Sequence, residues 1–239
     1  MTRAPRPDYV GATQHVFIRG AARLPIAVDA TDYEFGLVLL ERMVARFELR
    51  CHAWCYLPNH FHLLLTSQLG NISEAMHWHG TCAAQAFNDR HERSGHVYQG
   101  RFESRVVESD DYLQQLARYI PLNPVKAGLC TSPQEWPWSS YAATAGLQKP
   151  PPYLHSGDLI GLLGSVAGYA AWVAGSTDAM ALDERGVPVP AERPSLASLL
   201  TDNSDRVIAI AHHRHGYSKT AIARHLRVSE SQIRRRLKK

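Results

Sequence analysis

The sequence predicts an α+β chain, a single antiparallel sheet covered by helices and followed by a small all-α module. Three observations lead there. Over residues 1–146, short runs of period-two apolar alternation interleave with stretches whose apolar residues recur every three or four positions. No Gly-rich phosphate loop joins any strand to any helix, which removes the nucleotide-binding folds. A proline-bearing stretch, 147–205, then leads into residues 206–239, where the patterning is helical throughout. The expected divisions are therefore 1–146, a linker with a short helical element over 147–205, and a helical module over 206–239. The simplest packing places the helices on one face of the sheet.

Each element has a local cause. Gln14–Gly20 reads as a short strand, and Phe35, Leu39, Met43 and Phe47 make a helical stripe within Asp32–Leu49. Arg50–Leu57 and His60–Thr66 are strands rich in aromatic and aliphatic residues, separated by the turn pair Pro58-Asn59. Ile72–Arg90 is helical, and Val97–Val107 is extended with a hairpin around Gly100. Ser109 caps the next helix, with Asp110 and Asp111 in the first turn where the helix dipole favours acids. That helix is expected to reach about Ile120. Pro150-Pro151-Pro152 and, later, Pro188, Pro190 and Pro194 bracket an apolar helical piece, Leu159–Ala174.

Hydrophobic residues form 45% and charged residues 20% of the 239, the balance of a folded globular chain. No apolar run reaches the ~18–20 residues of a membrane span. The opening MTRAPRPDYVGATQH lacks the apolar core and cleavage site of a secretion signal, so a cytoplasmic protein without membrane attachment is expected. Cys51, Cys55, Cys82 and Cys130 are expected as buried free thiols, because Cys51 and Cys55 lie roughly 13 Å apart along a strand, too far to bridge. The net charge of +4 is unevenly placed: residues 219–239 hold eight Lys or Arg and one Glu, leaving 18 basic and 21 acidic residues in the rest. A basic end on a mildly acidic body points to a nucleic-acid anchor.

His60-Phe61-His62 carries the first candidate chemistry. Side chains two apart in a strand point the same way, ~6.5–7 Å apart, so two imidazoles can converge on one divalent ion while Phe61, Leu63 and Leu65 face the core. Spacing alone leaves a structural pair at a sheet edge open. Among 13 histidines the pattern also recurs as His77/His79 and His213/His215, in helical settings where the rings diverge. On the helix after Ser109, Leu113, Leu116, Ala117 and Ile120 form the buried stripe, and Tyr119 projects to its flank beside Tyr112 and Gln115. Periodicity does not choose Tyr119 over Tyr112 or Tyr98.

Four blocks in order, PNHFHLL (58–64), GHVYQGRF (95–102), ESDDYLQQLARYIPLNPVKAGL (108–129) and WPWSSY (136–141), resemble the REP-associated tyrosine transposases, single-tyrosine members of the HUH endonuclease superfamily. The likeness spans about Tyr9–Gly146. It implies a ferredoxin-like (RRM-like) antiparallel sheet with the two histidines on a central strand and the nucleophile, Tyr119, on a helix facing them. It further implies His60 and His62 as metal ligands with Asn123 completing the site, a Mg2+ or Mn2+ ion, and single-stranded or hairpin DNA as substrate. The products would be a 5′-phosphotyrosine and a free 3′-hydroxyl. Both monomers and homodimers occur among such relatives. This chain departs from the pattern at Pro121, where a histidine is common, and at Ala21, where Asn often follows R-G. Proline removes a helical hydrogen bond and disfavours helix at Ile120, so a stop or kink just past Tyr119 is expected.

The chemistry suits those residues. A phenol of pKa ~10 is about one part in a thousand ionised at neutral pH, so it needs a nearby cation to act on a phosphodiester. Covalent attachment keeps the phosphoester for rejoining without ATP, and no G-x-x-x-x-G-K-[ST] loop is present. Arg19, Arg23, Arg101 and Phe102 are candidates for phosphate contact and base stacking. At the basic end, YSKTAIARHLRVSESQIRRRLKK resembles a bacterial helix-turn-helix, which would read duplex DNA through Ser229, Ser231 and Gln232, with Arg234, Arg235 and Arg236 outward. Arg227 stands where a turn glycine is usual. The rival readings are a DNA-binding regulator on the same fold without strand transfer, and a metal-dependent phosphodiesterase that uses water.

Overall fold

The computed structural model describes residues 8–175, 182–183, 185–186, 196–200, 204–209, 211 and 219–237. The chain divides into two compact units, Met1–Val189 and Pro190–Lys239. Pro188, Pro190, Pro194, Ile210, the His213/His215 pair, Lys238 and Lys239 lie outside the described residues.

In the first unit, β1 (Thr13–Arg19), β2 (Leu49–Tyr56), β3 (His60–Ser67) and β4 (Glu103–Val106) form one antiparallel sheet in the order β2-β3-β1-β4. With α1 (Ala30–Arg46) between β1 and β2, and α2 (Ile72–Arg90) between β3 and β4, the element order is ferredoxin-like; α3 (Asp110–Lys126) follows. The central pair, β1 and β3, sets Phe17 opposite His62 and Arg19 opposite His60. The stretch 97–107 pairs less than expected. Tyr98 makes an isolated bridge to Gly20, and the strand proper begins at Glu103.

Alternation sorts the sheet into two faces. Val16, Ile18, Phe61, Leu63 and Leu65 pack with Leu40, Met43 and Val44 of α1 and Met76 of α2. Ala53, Cys55 and Leu64 pack with Leu116, Ala117 and Ile120 of α3. Helices therefore cover both faces, not one, because β2 and β3 are buried along nearly their whole length and each side needs cover. The stretch read as a linker also belongs here. Beyond the short α4 (Tyr141–Thr144), α5 (Gly157–Leu162) and α6 (Val166–Ala174) bring Leu159, Tyr169 and Val173 into the α3-side core. The single helical piece expected over Leu159–Ala174 is broken at Gly164, whose φ is +81°, and restarts on the Ser165 cap.

The Pro121 expectation is corrected: α3 continues through Pro121 and Pro124 to Lys126. Proline at 124 withdraws the donor that the Ile120 carbonyl would have received. Asn123 replaces it. Its side-chain Nδ2 donates to the Tyr119 carbonyl at 2.8 Å and approaches the Ile120 carbonyl at 3.3 Å. The helix thus keeps Tyr119 and Asn123 one turn apart on the same side. At the other end Ser109 caps as expected, accepting from the Tyr112 N–H.

The second unit has its own core of Leu200, Ile208, Ala211, Ile222, Ala223 and Ile233. It contains α7 (Leu196–Leu199), α8 (Asp205–Ala209), α9 (Lys219–Leu226) and α10 (Glu230–Arg236). Arg227 is left-handed, φ +55°, and ends α9 in a paired motif: Val228 N–H to Ala223 O at 3.0 Å and Arg227 N–H to Arg224 O at 3.3 Å. Ser229 and Gln232 form the capping box that opens α10.

Cys51 and Cys55 are buried thiols, whereas Cys82 and Cys130 are half-buried, a partial correction. Among the described residues no helix is long and apolar enough to cross a membrane. The His77/His79 pair diverges as a helical pair must: His77 is exposed and His79 buried.

Two measurements check this account. Asn123→Leu keeps the volume but leaves the Ile120 carbonyl, whose backbone donor Pro124 lacks, without a partner, and is expected to destabilise urea unfolding by about 1–3 kcal/mol; no measurable change would contradict the role given to its amide. Burial pushes His79 down from 6.5 to about 4. Between those values the unfolded chain takes up a proton that the folded one refuses, so stability falls as pH drops through that window. In His79→Leu the acid-induced fall in urea midpoint should be shallower than in the parent, and an equal fall would count against it.

Candidate active site

The sheet face beneath α3 collects the aromatic and imidazole groups. His60 and His62 project to the same side of β3 with ring centroids 5.1 Å apart and planes at 88°. Tyr119 of α3 stands over them, its ring 5.3 Å from that of His62 and edge-on at 86°. From the neighbouring strand, His15 stacks on His62 at 5.2 Å, with Nε2 3.0 Å from His62 Nδ1. Phe17 fills the space beside both, 5.0 Å from His62 and 5.6 Å from His60. Lys126, two turns beyond Tyr119, places its ammonium 4.7 Å over the phenol ring. The phenol and both imidazoles come from one chain.

Burial governs the electrostatics. His15 is pushed down to about 3 by desolvation. His62 lies well below its ordinary value, again through burial first and then the neighbouring His15 and His60. Both rings are therefore neutral at pH 7, as metal ligands must be. Burial, and next the Asp183 carboxylate, raise the Tyr119 phenol above its usual value, so it is protonated. His62 Nε2 and the Tyr119 hydroxyl are both shut off from solvent without a well-formed hydrogen bond, although the Asn123 amide and the Gly186 backbone approach the phenol. Orphaned groups of this kind need an explanation, and a cation between them supplies one. Asn59 Oδ1 accepts from His60 Nδ1 at 2.7 Å, which leaves Nε2 as that ring's lone-pair nitrogen. Asn123 has its nitrogen on the helix carbonyls, so its oxygen is the atom suited to a cation. Among the described residues no three His, Cys, Asp or Glu side chains form a ready metal cage. Two imidazoles and an amide oxygen fit an ion that completes its shell with water and phosphate oxygens.

Residues 10–123 match the family model described as "Transposase IS200 like". A search of solved structures adds the fold: a REP-associated tyrosine transposase bound to a REP hairpin superposes with a TM-score of 0.50 at 22% identity, over 61% of this chain and 86% of that one. No curated protein matches the chain.

Within residues 10–123 the structure brings His60, His62, Tyr119 and Asn123 together. Tyr112 instead donates its hydroxyl to the Gly186 carbonyl at 2.9 Å, and Tyr98 packs against the α1 and α2 core. Arg19 lies 5.0 Å over the Phe17 ring and lines, with Arg101 and Arg185, a groove of about 450 Å³ along β1 and the 99–103 loop. Arg23 sits on the exposed turn after β1 at φ +61°. Phe102, just before β4, is not presented for stacking; it is buried in the α1 and α2 core. In the second unit, Ser229 and Gln232 are engaged in the capping box and Ser231 is bonded to Ser229 at 2.8 Å. Arg234 pairs with Glu230 and Arg236 with Asp205, both at 2.6 Å, while Arg235 is exposed.

Sequence reasoning missed His15, Phe17 and Gly186. The alternation of β1 held a signal for the first two, since His15, Phe17 and Arg19 share a face. Gly186 had none, lying sixty residues beyond α3. At φ +69° it rests against the site so closely that a Cβ there would stand 2.4 Å from His15 Cε1 and 2.8 Å from Tyr119 Cε1. Gly186→Ala is therefore expected to lift the backbone at Gly186 away, with about 1–2 kcal/mol of backbone strain alone driving it. Tyr119 should then be nitrated faster by tetranitromethane, mapped by mass spectrometry, while Tyr98 is unchanged. An unchanged Tyr119 rate would show that Gly186 does not shield it.

Proposed function

We propose that the chain cuts and rejoins single-stranded or hairpin DNA in a metal-dependent reaction, with Tyr119 as nucleophile. The observation that carries this reading is the meeting of two imidazoles from one strand with a buried phenol from α3, at 5.3 Å between the His62 and Tyr119 rings. His60 and His62 would hold a Mg2+ or Mn2+ ion, with Asn123 as a third donor; when bound, the ion supplies positive charge beside the phenol and the scissile phosphate. Tyr119 must lose its proton, and its oxygen then attacks phosphorus. The bond to the 3′-oxygen breaks and that oxygen takes up a proton, giving a 5′-phosphotyrosine and a 3′-hydroxyl. Water exclusion by Phe17 and α3 keeps the intermediate from hydrolysis. The phosphodiester reaches the phenol only once Gly186 moves aside, since Tyr119 is 4% exposed.

Binding would come from two surfaces. The groove lined by Arg19, Arg101 and Arg185 suits a single strand, and the C-terminal helices, read as a helix-turn-helix, suit a duplex. This proposal keeps the catalytic unit within Met1–Val189 and the DNA-reading module at the C-terminal end. The buried state of Tyr119 also favours a second reading, a DNA-binding regulator that keeps the fold without strand transfer.

A labelled hairpin oligonucleotide incubated with the protein and Mn2+ separates these. A covalent adduct that survives denaturation is expected, absent in Tyr119→Phe and reduced by roughly 10–100-fold or more in His62→Ala. Salt-sensitive binding without any adduct would leave the regulator reading. Cleavage that persists in Tyr119→Phe would point to water as nucleophile instead.

A further inference from the structure

His15 belongs to no block of residues that identified the site, yet it makes the closest polar contact to His62. The two rings lie on adjacent antiparallel strands, diagonal across the ladder, because Leu64 is the direct partner of His15 and Phe17 that of His62. His15 Nε2 and His62 Nδ1 are 3.0 Å apart, with the rings nearly parallel at 14°. One proton lies between these two nitrogens, and its owner decides the chemistry of His62. If His15 donated it, His62 would carry its own proton on Nε2, a buried N–H without a well-formed hydrogen bond among the described residues, with only the Asn123 amide near it. If His62 donates it, Nε2 bears a lone pair instead. Asn59 fixes the same pattern on His60, accepting from Nδ1 at 2.7 Å. Gly186 packs against the His15 ring, where a Cβ would stand 2.4 Å from Cε1.

We propose that His15 is a positioning residue, accepting the Nδ1 proton of His62 and so presenting Nε2 as a lone pair toward a divalent ion. The inference rests on the metal-binding reading of His62 given above. Across metalloproteins, partners that orient a ligating imidazole in this way change metal affinity by about 10–100-fold when removed.

The test compares His15→Gln, whose amide oxygen can reach the place of Nε2, with His15→Met, which matches the bulk but accepts poorly. Ring 15N signals of metal-free protein report the tautomer of His62, and Mn2+ titration followed by electron paramagnetic resonance reports affinity. Expected are Nδ1–H on His62 in the parent and in His15→Gln, and a shift toward Nε2–H in His15→Met. Mn2+ affinity should fall about 10–100-fold in the methionine variant and stay near the parental value in the glutamine one. The proposal is overturned by Nε2–H on His62 in the parent. It is equally overturned if Met leaves tautomer and affinity unchanged, or if both variants lose affinity alike at matched thermal stability. Should the tautomers behave as expected while even the parent binds no Mn2+, the tautomer assignment stands and the metal-binding reading is what fails.

Discussion

The side-chain amide of Asn123 holds α3 together where two prolines would open it, and the continuity of that helix decides where Tyr119 stands. A helix ending at Ile120 would leave the phenol on a fraying last turn, free to swing by several ångströms. Bonded instead to the carbonyls of Tyr119 and Ile120, the amide carries the helix on to Lys126. The same few residues then do three things: they bury Leu116 and Ile120 against the sheet, aim the phenol at His62, and bring Lys126 over the ring. Geometry at the site is thus a property of helix integrity as much as of any catalytic side chain.

Around that helix the protein builds a dry site. Neutral imidazoles and a protonated phenol are the forms that burial favours, since each avoids a charge without solvent. Such a site does little by itself. A cation, and with it a phosphate, changes the balance: the positive charge favours the phenolate and is in turn neutralised by phosphate oxygens. The Asp183 carboxylate works in the opposite sense, raising the phenol further, while the Gly186 backbone lowers it.

Much of this was legible in the residues, and for identifiable reasons. Period-two alternation in His60–Ser67 fixed which residues face α1 and α2 and which face α3, because a strand has two sides and no freedom to share them. The caps at Ser109 and Ser229 were visible because capping needs particular side chains at particular offsets. Pro121 misled, since the helix continues through it, and the donor missing at Pro124 is replaced by the Asn123 side chain just before it. Phe102 misled in a similar way: an aromatic beside an arginine looked like a stacking platform, but it is buried in the core. The linker reading failed because prolines at 150–152 mark a turn, not an end of packing, and Tyr169 and Val173 return to the α3-side core beyond them. The contacts of His15 and Gly186 depend on pairing between distant segments, which no local pattern encodes.

The central claim is that His60, His62 and Tyr119 surround one cation position. Paramagnetic broadening by Mn2+, followed on the ring signals of labelled histidine and tyrosine, tests it without requiring turnover. Substoichiometric Mn2+ should broaden His60, His62 and Tyr119 first, leaving Tyr98 and His79 sharp on the far side of the sheet. Broadening centred instead on the Asp29, Asp32 and His91 cluster beside Arg90, or no selective broadening at all, would contradict the account.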